Sequence, residues 1–261
     1  MKKIFFVSTV FLWCFPCWSQ EIRFYKKDKL IKILSLREMQ KIAGKRDIKL
    51  RYHFSKSPIK NYRGMPIIPI LKKVYKSDLK DENYTEFILE ALDGYQSYSS
   101  RKTLLTSGGY IVFKDLDVKK GWESVGFKQV SPAPYFLVWI KKEQTVANEY
   151  PWPWALSKIH LVRMEDRYPK VYPKGFKKNS AIYKGYKIFK AQCFRCHSID
   201  RQGGKIGPDL AAPQNILDYR SEKFIRQFIK KPSSFRYSKM PSHSHLSEKA
   251  LDDLIAYLRS R

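Results

Sequence analysis

The chain has 261 residues, with 51 Lys+Arg against 24 Asp+Glu for a formal charge of +27, and four cysteines. That length suffices for two modest domains or one large one, and so few cysteines exclude a disulfide-built scaffold. The charge runs the length of the chain, 18 Lys+Arg against 7 Asp+Glu over residues 175–261 and 31 against 17 over residues 20–174, which excludes a basic tail. Interleaved with aromatic residues, it points to an acidic protein partner or an anionic membrane surface and not to nucleic acid; a solvated basic surface without a partner is the plain alternative.

Met1-Lys2-Lys3, an apolar run from Ile4 to Trp18 and then Ser19-Gln20-Glu21 have the order of a secretory signal peptide over residues 1–19, with the cut expected after Ser19. The run is shorter than the ~20 residues of a membrane-spanning helix, no later segment is apolar enough to span, and neither Cys14 nor Cys17 has the small-residue setting of a lipid anchor. The expectation is a periplasmic or otherwise exported chain, soluble after cleavage, whose remaining thiols are Cys193 and Cys196.

Residues 20–165 read as an α+β domain. Ser35-Leu36-Arg37-Glu38 has capping-box spacing, "IKLRYHF" (48–54) reads as a strand, and "MPIIPILKKVY" (65–75) as a short helix with proline in its first turn. Further strands are predicted in "TEFILEAL" (85–92), "GYIVFKD" (109–115), "PYFLVWI" (134–140) and "SKIHLV" (157–162), with turns at Asp93-Gly94 and Gly108-Gly109. Arg51, His53, Arg63, Asp93, Tyr95 and Arg101 are candidates for an anion pocket, although sheet-edge and turn roles explain them as well. Trp152 and Trp154 in "YPWPW" are expected to pack on the domain surface or against the following module. Residues 166–179, within "DRYPKVYPKGFKKNS", break the apolar pattern with Pro, Gly and Lys and are expected to form an exposed connection. From 180 to 261 the apolar spacing is helical, in "SAIYKGYKIFKAQ" (180–192), "EKFIRQFIK" (222–230) and "SEKALDDLIAYLR" (247–259), with no strand pattern between them.

Within that helical part lies "AQCFRCHSID" (191–200). Two cysteines three apart at the end of a helix place two thiols on one side of a turn, where they can add to the two vinyl groups of a porphyrin, and the adjacent His197 then faces the iron. Zinc is the chief rival, but a closed site needs four ligands, and Cys193, Cys196 and His197 with a distant His243 or His245 make an unusual set. A redox dithiol belongs beside a strand–helix unit, which this segment lacks.

Residues 180–261 resemble a class I cytochrome c domain. The likeness is carried by Gly185 and Phe189, eight and four residues before Cys193, by Gly207-Pro208 with Pro208 eleven after His197, and by Met240, 17 before Tyr257 of "LIAYL". It implies one covalent haem c on Cys193 and Cys196, His197 and Met240 as proximal and distal iron ligands, and the Pro208 carbonyl holding the other ring nitrogen of His197. It further implies that Gly185 lets the first and last helices cross closely and that Phe189 packs against Leu254 and Tyr257; His243 and His245 are rivals of Met240. With both axial positions filled, such a domain moves single electrons and has no catalytic residue. The expected role is an electron carrier in a periplasmic respiratory or redox chain, with Lys205, Lys230, Lys231, Arg236 and Lys239 forming a basic rim for an acidic oxidase, reductase or donor.

The motifs "NYRGMPIIPIL" (61–71), "ALDGYQSYSS" (91–100), "GYIVFKD" and "PYFLVWI" with "YPWPWALSKIHLV" resemble, in order, the molybdopterin-binding sheet domain of the sulfite oxidase family. That family binds molybdenum through a cysteine, and residues 20–192 contain none. The first domain is therefore expected to lack molybdopterin and to act as a docking or positioning module. Two other classes stay open: an oxidoreductase whose first domain holds molybdopterin or another cofactor and passes substrate electrons to the haem, and a haem-based sensor in which Met240 leaves the iron.

Overall fold

The computed structural model describes residues 20–51, 59–125, 129–146, 150–235, 238 and 240–261. The expected signal peptide with Cys14 and Cys17, and the candidates His53, Arg236 and Lys239, lie outside the described residues.

Strands β1 (Glu21–Lys26) and β2 (Lys29–Ser35) form a hairpin, and Ser35 then starts α1 (Leu36–Ala43). The capping box is present as spelled in the sequence: the Ser35 hydroxyl accepts from the Glu38 N–H, and the Glu38 carboxylate accepts from the Ser35 N–H at 2.8 Å. β3 (Arg46–Arg51), β4 (Ile59–Pro66), α2 (Ile67–Tyr75), β5 (Glu86–Ala91), β6 (Gln96–Ser100), α3 (Arg101–Leu104), β7 (Gly109–Asp115), β8 (Phe136–Trp139) and β9 (Leu156–Val162) follow. They build two sheets, a five-stranded one in the order β2-β1-β9-β5-β6, with β1 and β9 parallel, and a four-stranded antiparallel one in the order β3-β4-β7-β8.

The predicted helix and the strands at β3, β5, β7, β8 and β9 are present; β1, β2, β4 and β6 were not foreseen. β2 is an exposed edge in which Leu34 alone is buried, and β6 reads Gln-Ser-Tyr-Ser-Ser, so neither shows the apolar alternation that marks a half-buried strand. Ile22 and Phe24 of β1, Leu34 of β2, Phe87 and Leu89 of β5, and Ile159 and Leu161 of β9 point to one side of the five-stranded sheet. There they share a core with Ile67, Ile70, Leu71 and Tyr75 of α2. The Tyr75 hydroxyl donates to the Ile159 carbonyl at 2.8 Å, so this side is closed by a hydrogen bond as well as by packing. Trp152 packs inside the sheet domain, 6.0 Å from the Phe136 ring.

The other side of this sheet carries the alternate residues, among them Ile88 of β5, Tyr98 of β6 and Val162 of β9, and the C-terminal part of the chain packs on it. That part comprises α4 (Met164–Arg167), α5 (Ala181–Ile188), a π-helical turn (Phe189–Cys193), a short ladder of β10 (Ser198–Ile199) with β11 (Gln202–Gly203), α6 (Ile216–Tyr219), α7 (Glu222–Lys230) and α8 (Glu248–Arg259). Ser180, Asn215, Ser221 and Ser247 cap α5, α6, α7 and α8 in turn, which sets four helix starts by local sequence. The β10–β11 ladder corrects the expectation of no strand in this region; two residues per strand leave no periodic trace.

Ile88 and Val162 enter one core with Tyr186, Phe189, Phe194, Leu254 and Tyr257 of the helical part. Each such side chain contributes roughly 1.5–3 kcal/mol relative to exposure, so the sheet domain and the helical domain share a core. Lys190 Nζ and Glu86 Oε1 pair at 2.7 Å across this contact, with side chains 15% and 10% exposed. The expected exposed connection is therefore half wrong. Lys174 to Lys178 are exposed, but Tyr168 and Val171 are buried in the shared core, and the Val171 carbonyl accepts the Tyr257 hydroxyl at 2.7 Å. Proline and lysine mark the segment as polar, while Tyr168 and Val171 anchor it.

Candidate functional site

The site is built where α5 meets α8. An added Cβ on Gly185 would lie 1.8 Å from the Asp253 carbonyl oxygen and 2.8 Å from Tyr257 Cβ, so the helices touch backbone to backbone as the resemblance implied. One turn on, Phe189 is fully buried with its ring 5.3 Å from that of Tyr257, and Leu254 shares the cluster. The helix then widens: the Phe194 N–H donates to the Phe189 carbonyl at 2.9 Å, five residues back, and this turn presents Cys193. The His197 N–H donates to the Cys193 carbonyl at 2.9 Å, which brings both thiols and the imidazole onto one short turn.

His197 Nδ1 lies 2.8 Å from the Pro208 carbonyl oxygen. A carbonyl only accepts, so Nδ1 carries the proton and Nε2 keeps its lone pair. Burial lowers the proton affinity of His197, opposed by Pro208 and Asp209, and so favours the neutral, ligating imidazole. Glycines make this approach possible. A Cβ on Gly207 would stand 2.5 Å from His197 Cε1, and one on Gly204 would stand 2.4 Å from the Arg195 carbonyl oxygen. Neither thiol is in a disulfide. Burial pushes Cys193 up to about 12 and raises Cys196 as well, whereas a redox dithiol needs a thiolate near neutrality. Among the described residues no group of three or more His, Cys, Asp or Glu is placed to hold a metal ion, so the zinc reading gains no support.

Sequence reasoning missed Asp209, the residue that shapes the loop from His197 to Pro208. Its carboxylate accepts from the Ser198 hydroxyl at 2.7 Å and from the N–H groups of Asp200 at 3.1 Å, Arg201 at 2.5 Å, and Ala211 and Ala212 at 2.8 Å each. Burial pushes this carboxyl up, but the hydrogen bonds outweigh it and bring it to about 2. The available clue was its place directly after Gly207-Pro208.

Met240 is half-buried and packs on the cluster that also holds Cys193 and Leu210. His243 is buried and pushed down to about 4 by burial first, then by His245, Arg195 and His197, so it is a neutral imidazole within electrostatic reach of His197; His245 is exposed. Of the expected basic rim, Lys205 and Lys231 are exposed, whereas Lys230 is ion-paired with Glu248. The anion-pocket candidates do not converge. Arg63 makes a bidentate pair with Asp47 at 2.6 and 2.8 Å on the four-stranded sheet, and Arg101 Nη1 donates to the Asp81 carbonyl beside the five-stranded one. Asp93 caps its own turn by accepting from the Tyr95 N–H.

The thiol pair, the imidazole with one nitrogen engaged and one bare, the half-buried Met240 on the same cluster as Cys193 and the side-chain-free approach at Gly207 together fit a haem attached through its vinyl groups. The cytochrome c family model matches residues 182–261. A search of curated proteins finds no match to the chain. The match identifies residues 182–261 as a cytochrome c segment, which implies covalently bound haem c and points to haem-based electron transfer; the preceding region is sheet-rich and mixed α+β.

Proposed function

We propose, from the premise of a cytochrome c domain at residues 182–261, that this chain is an exported monohaem c-type cytochrome passing single electrons between proteins of a periplasmic respiratory or redox chain. The observation that carries this reading is the turn on which Cys193, Cys196 and His197 stand together with Nδ1 of the imidazole committed to Pro208. Bound haem supplies a one-electron couple. Cys193 and Cys196 would hold the group by thioether bonds, and His197 through Nε2 and Met240 through its sulfur would be the residues offered to the iron. Pro208 fixes the ring plane and basicity of His197. A thioether favours the ferrous state, and His/Met ligation raises the potential.

The sheet domain acts as a docking or positioning module in this reading. Its two-sheet α+β architecture and the absence of cysteine from residues 20–192 support a sulfite oxidase-like domain without molybdopterin. Lys205 and Lys231, with Arg236 and Lys239 nearby in sequence, favour an acidic redox partner through long-range steering, and the overall charge of +27 favours anionic surfaces in general. The test is metal stoichiometry and denatured mass of protein made in a host able to mature both haem c and molybdopterin. One iron per chain, a mass raised by one haem and no molybdenum support the carrier. Stoichiometric molybdenum makes the protein an oxidoreductase, carbon monoxide binding by the native reduced protein makes it a sensor, and zinc without iron overturns the haem.

A further inference from the structure

His160 stands on the side of β9 that faces the cytochrome domain, opposite Ile88 of β5 and beside Tyr25 of β1 in the sheet register. It is 6% exposed, its ring stacks on Tyr25 at 4.6 Å and 14°, and neither ring nitrogen has a hydrogen-bond partner among the described residues. Leaving buried polar atoms unbonded is costly, and a valine at this position would carry no such cost. The ring is thus uncommitted: burial, the largest influence, holds it neutral, while Nε2 lies 3.5 Å from Glu90 Oε2, a contact that protonation turns into an ion pair.

The cluster continues to the haem-attachment turn. Glu90 accepts from Lys158 Nζ at 2.5 Å and from Gln96 Nε2 at 2.9 Å; Gln96 Oε1 accepts the Tyr168 hydroxyl at 2.7 Å. The Tyr168 ring meets the Phe194 ring edge-on at 4.9 Å, and Phe194 lies between the two haem-binding cysteines. We propose that His160 is a proton-binding site linked to the electron on the cytochrome domain: when one electron arrives from the donor protein the imidazole takes one proton from water, and it returns that proton when the electron leaves. The inference rests on the carrier reading above.

Charge decides the direction. An added electron makes the cytochrome domain one unit more negative, and in a weakly polarisable interior this raises the proton affinity of a nearby base. Among the influences on His160 burial is the largest and lowers its affinity; Glu90 and Asp28 raise it and Arg167 and Lys158 lower it, with the Tyr25 ring stacked on it. In the oxidised protein the imidazole therefore titrates below the ordinary histidine range, and in the reduced protein at higher pH. Because the reduced form then binds more protons, the midpoint potential falls as pH rises across the interval between the two values, by up to one proton per electron.

Two measurements on the full-length haem-loaded protein test this. The first follows the His160 ring protons by NMR, identified through their proximity to the Tyr25 ring, in pH titrations of the oxidised and reduced forms. A higher titration midpoint in the reduced form is expected; identical midpoints, or no titration in either form, overturn the proposal without need of a variant. The second compares potential against pH for the native protein and His160→Gln. The native curve is expected to slope in the acidic range and the variant to lose that slope with unchanged haem content and absorption spectrum; an equal slope in both overturns the proposal. A one-electron wave that ignores pH defeats the His160 inference alone, whereas a chain with no one-electron wave defeats the carrier reading beneath it.

Discussion

Gly185→Ala sets two effects of opposite sign against each other. In a helix interior alanine is favoured over glycine by about 1 kcal/mol, so propensity alone predicts a more stable protein. The new Cβ, however, would sit 1.8 Å from the Asp253 carbonyl oxygen, 2.5 Å from its carbon and 2.8 Å from Tyr257 Cβ. A carbon approaches a carbonyl oxygen to about 3.3 Å, so α5 and α8 must separate by well over an ångström. Two of the three obstructing atoms are backbone and cannot rotate aside. Overpacking costs about 1–3 kcal/mol even where side chains can adjust, and the separation also loosens Phe189, Leu254 and Tyr257 on both sides of the crossing. We expect a net loss of about 2–4 kcal/mol, and at roughly 2–4 °C per kcal/mol for a protein of this size, a melting temperature lower by about 5–15 °C. Thermal unfolding followed by far-ultraviolet circular dichroism and by haem absorbance reads this directly. A variant as stable as the native protein, or more so, would mean that propensity wins and that the helices do not cross at this distance.

Three further outcomes follow from the same contacts. Asp209→Asn removes a carboxylate whose ionised form is held by one hydroxyl and several N–H groups; allowing for partial exposure it should cost about 1–2 kcal/mol near neutrality. Because its folded-state value is depressed from 3.8 to about 2, that stabilisation is complete above the unfolded value and fades as pH falls through the folded one, so denaturant unfolding should show the native and variant proteins converging in strong acid. Lys190→Met strips the buried Glu86 of its lysine and should cost about 3–5 kcal/mol, with Lys190→Met/Glu86→Gln recovering a large part; additive losses in the double-mutant cycle would show that the 2.7 Å pair does not couple the domains. Met240→Ala should retain haem yet lower the potential by on the order of 0.1–0.3 V, within the roughly 0.8 V that axial ligation spans; an unchanged potential transfers the ligand role to His243 or His245.

The haem-attachment turn was legible because its requirements are local and spaced along the chain: a glycine eight residues before the first cysteine, a Gly-Pro pair after the histidine, a methionine before the last helix. Strands β5, β7 and β9 were legible for a similar reason, since branched and aromatic residues crowd into them. What the sequence hid depends on which surface meets which. Ile88 and Val162 look like ordinary members of apolar strands, yet the side of the sheet they occupy is covered by a second domain and not by water. His160 in "SKIHLV" occupies the position that alternation assigns to solvent, yet it is 6% exposed, its ring stacked on Tyr25. Tyr168 and Val171 were lost in a lysine- and proline-rich segment because composition averages over the two residues that anchor it.

Covering that sheet also bears on how the domain can be used. Burial raises the Tyr95 phenol and the Arg195 guanidinium pulls it back, which places the β5–β6 turn beside the arginine of the attachment motif, while Tyr168 lies against Phe194 from the same side. One flank of the turn that carries Cys193, Cys196 and His197 is thus closed by the chain's own sheet domain, with a buried ion pair and a shared core to hold it. Lys205, Ile206 and Lys231 remain exposed. Electron transfer between proteins requires close approach to the haem, so on the proposed carrier reading a cover on one flank narrows the directions from which a partner can arrive to those on which Lys205 and Lys231 stand.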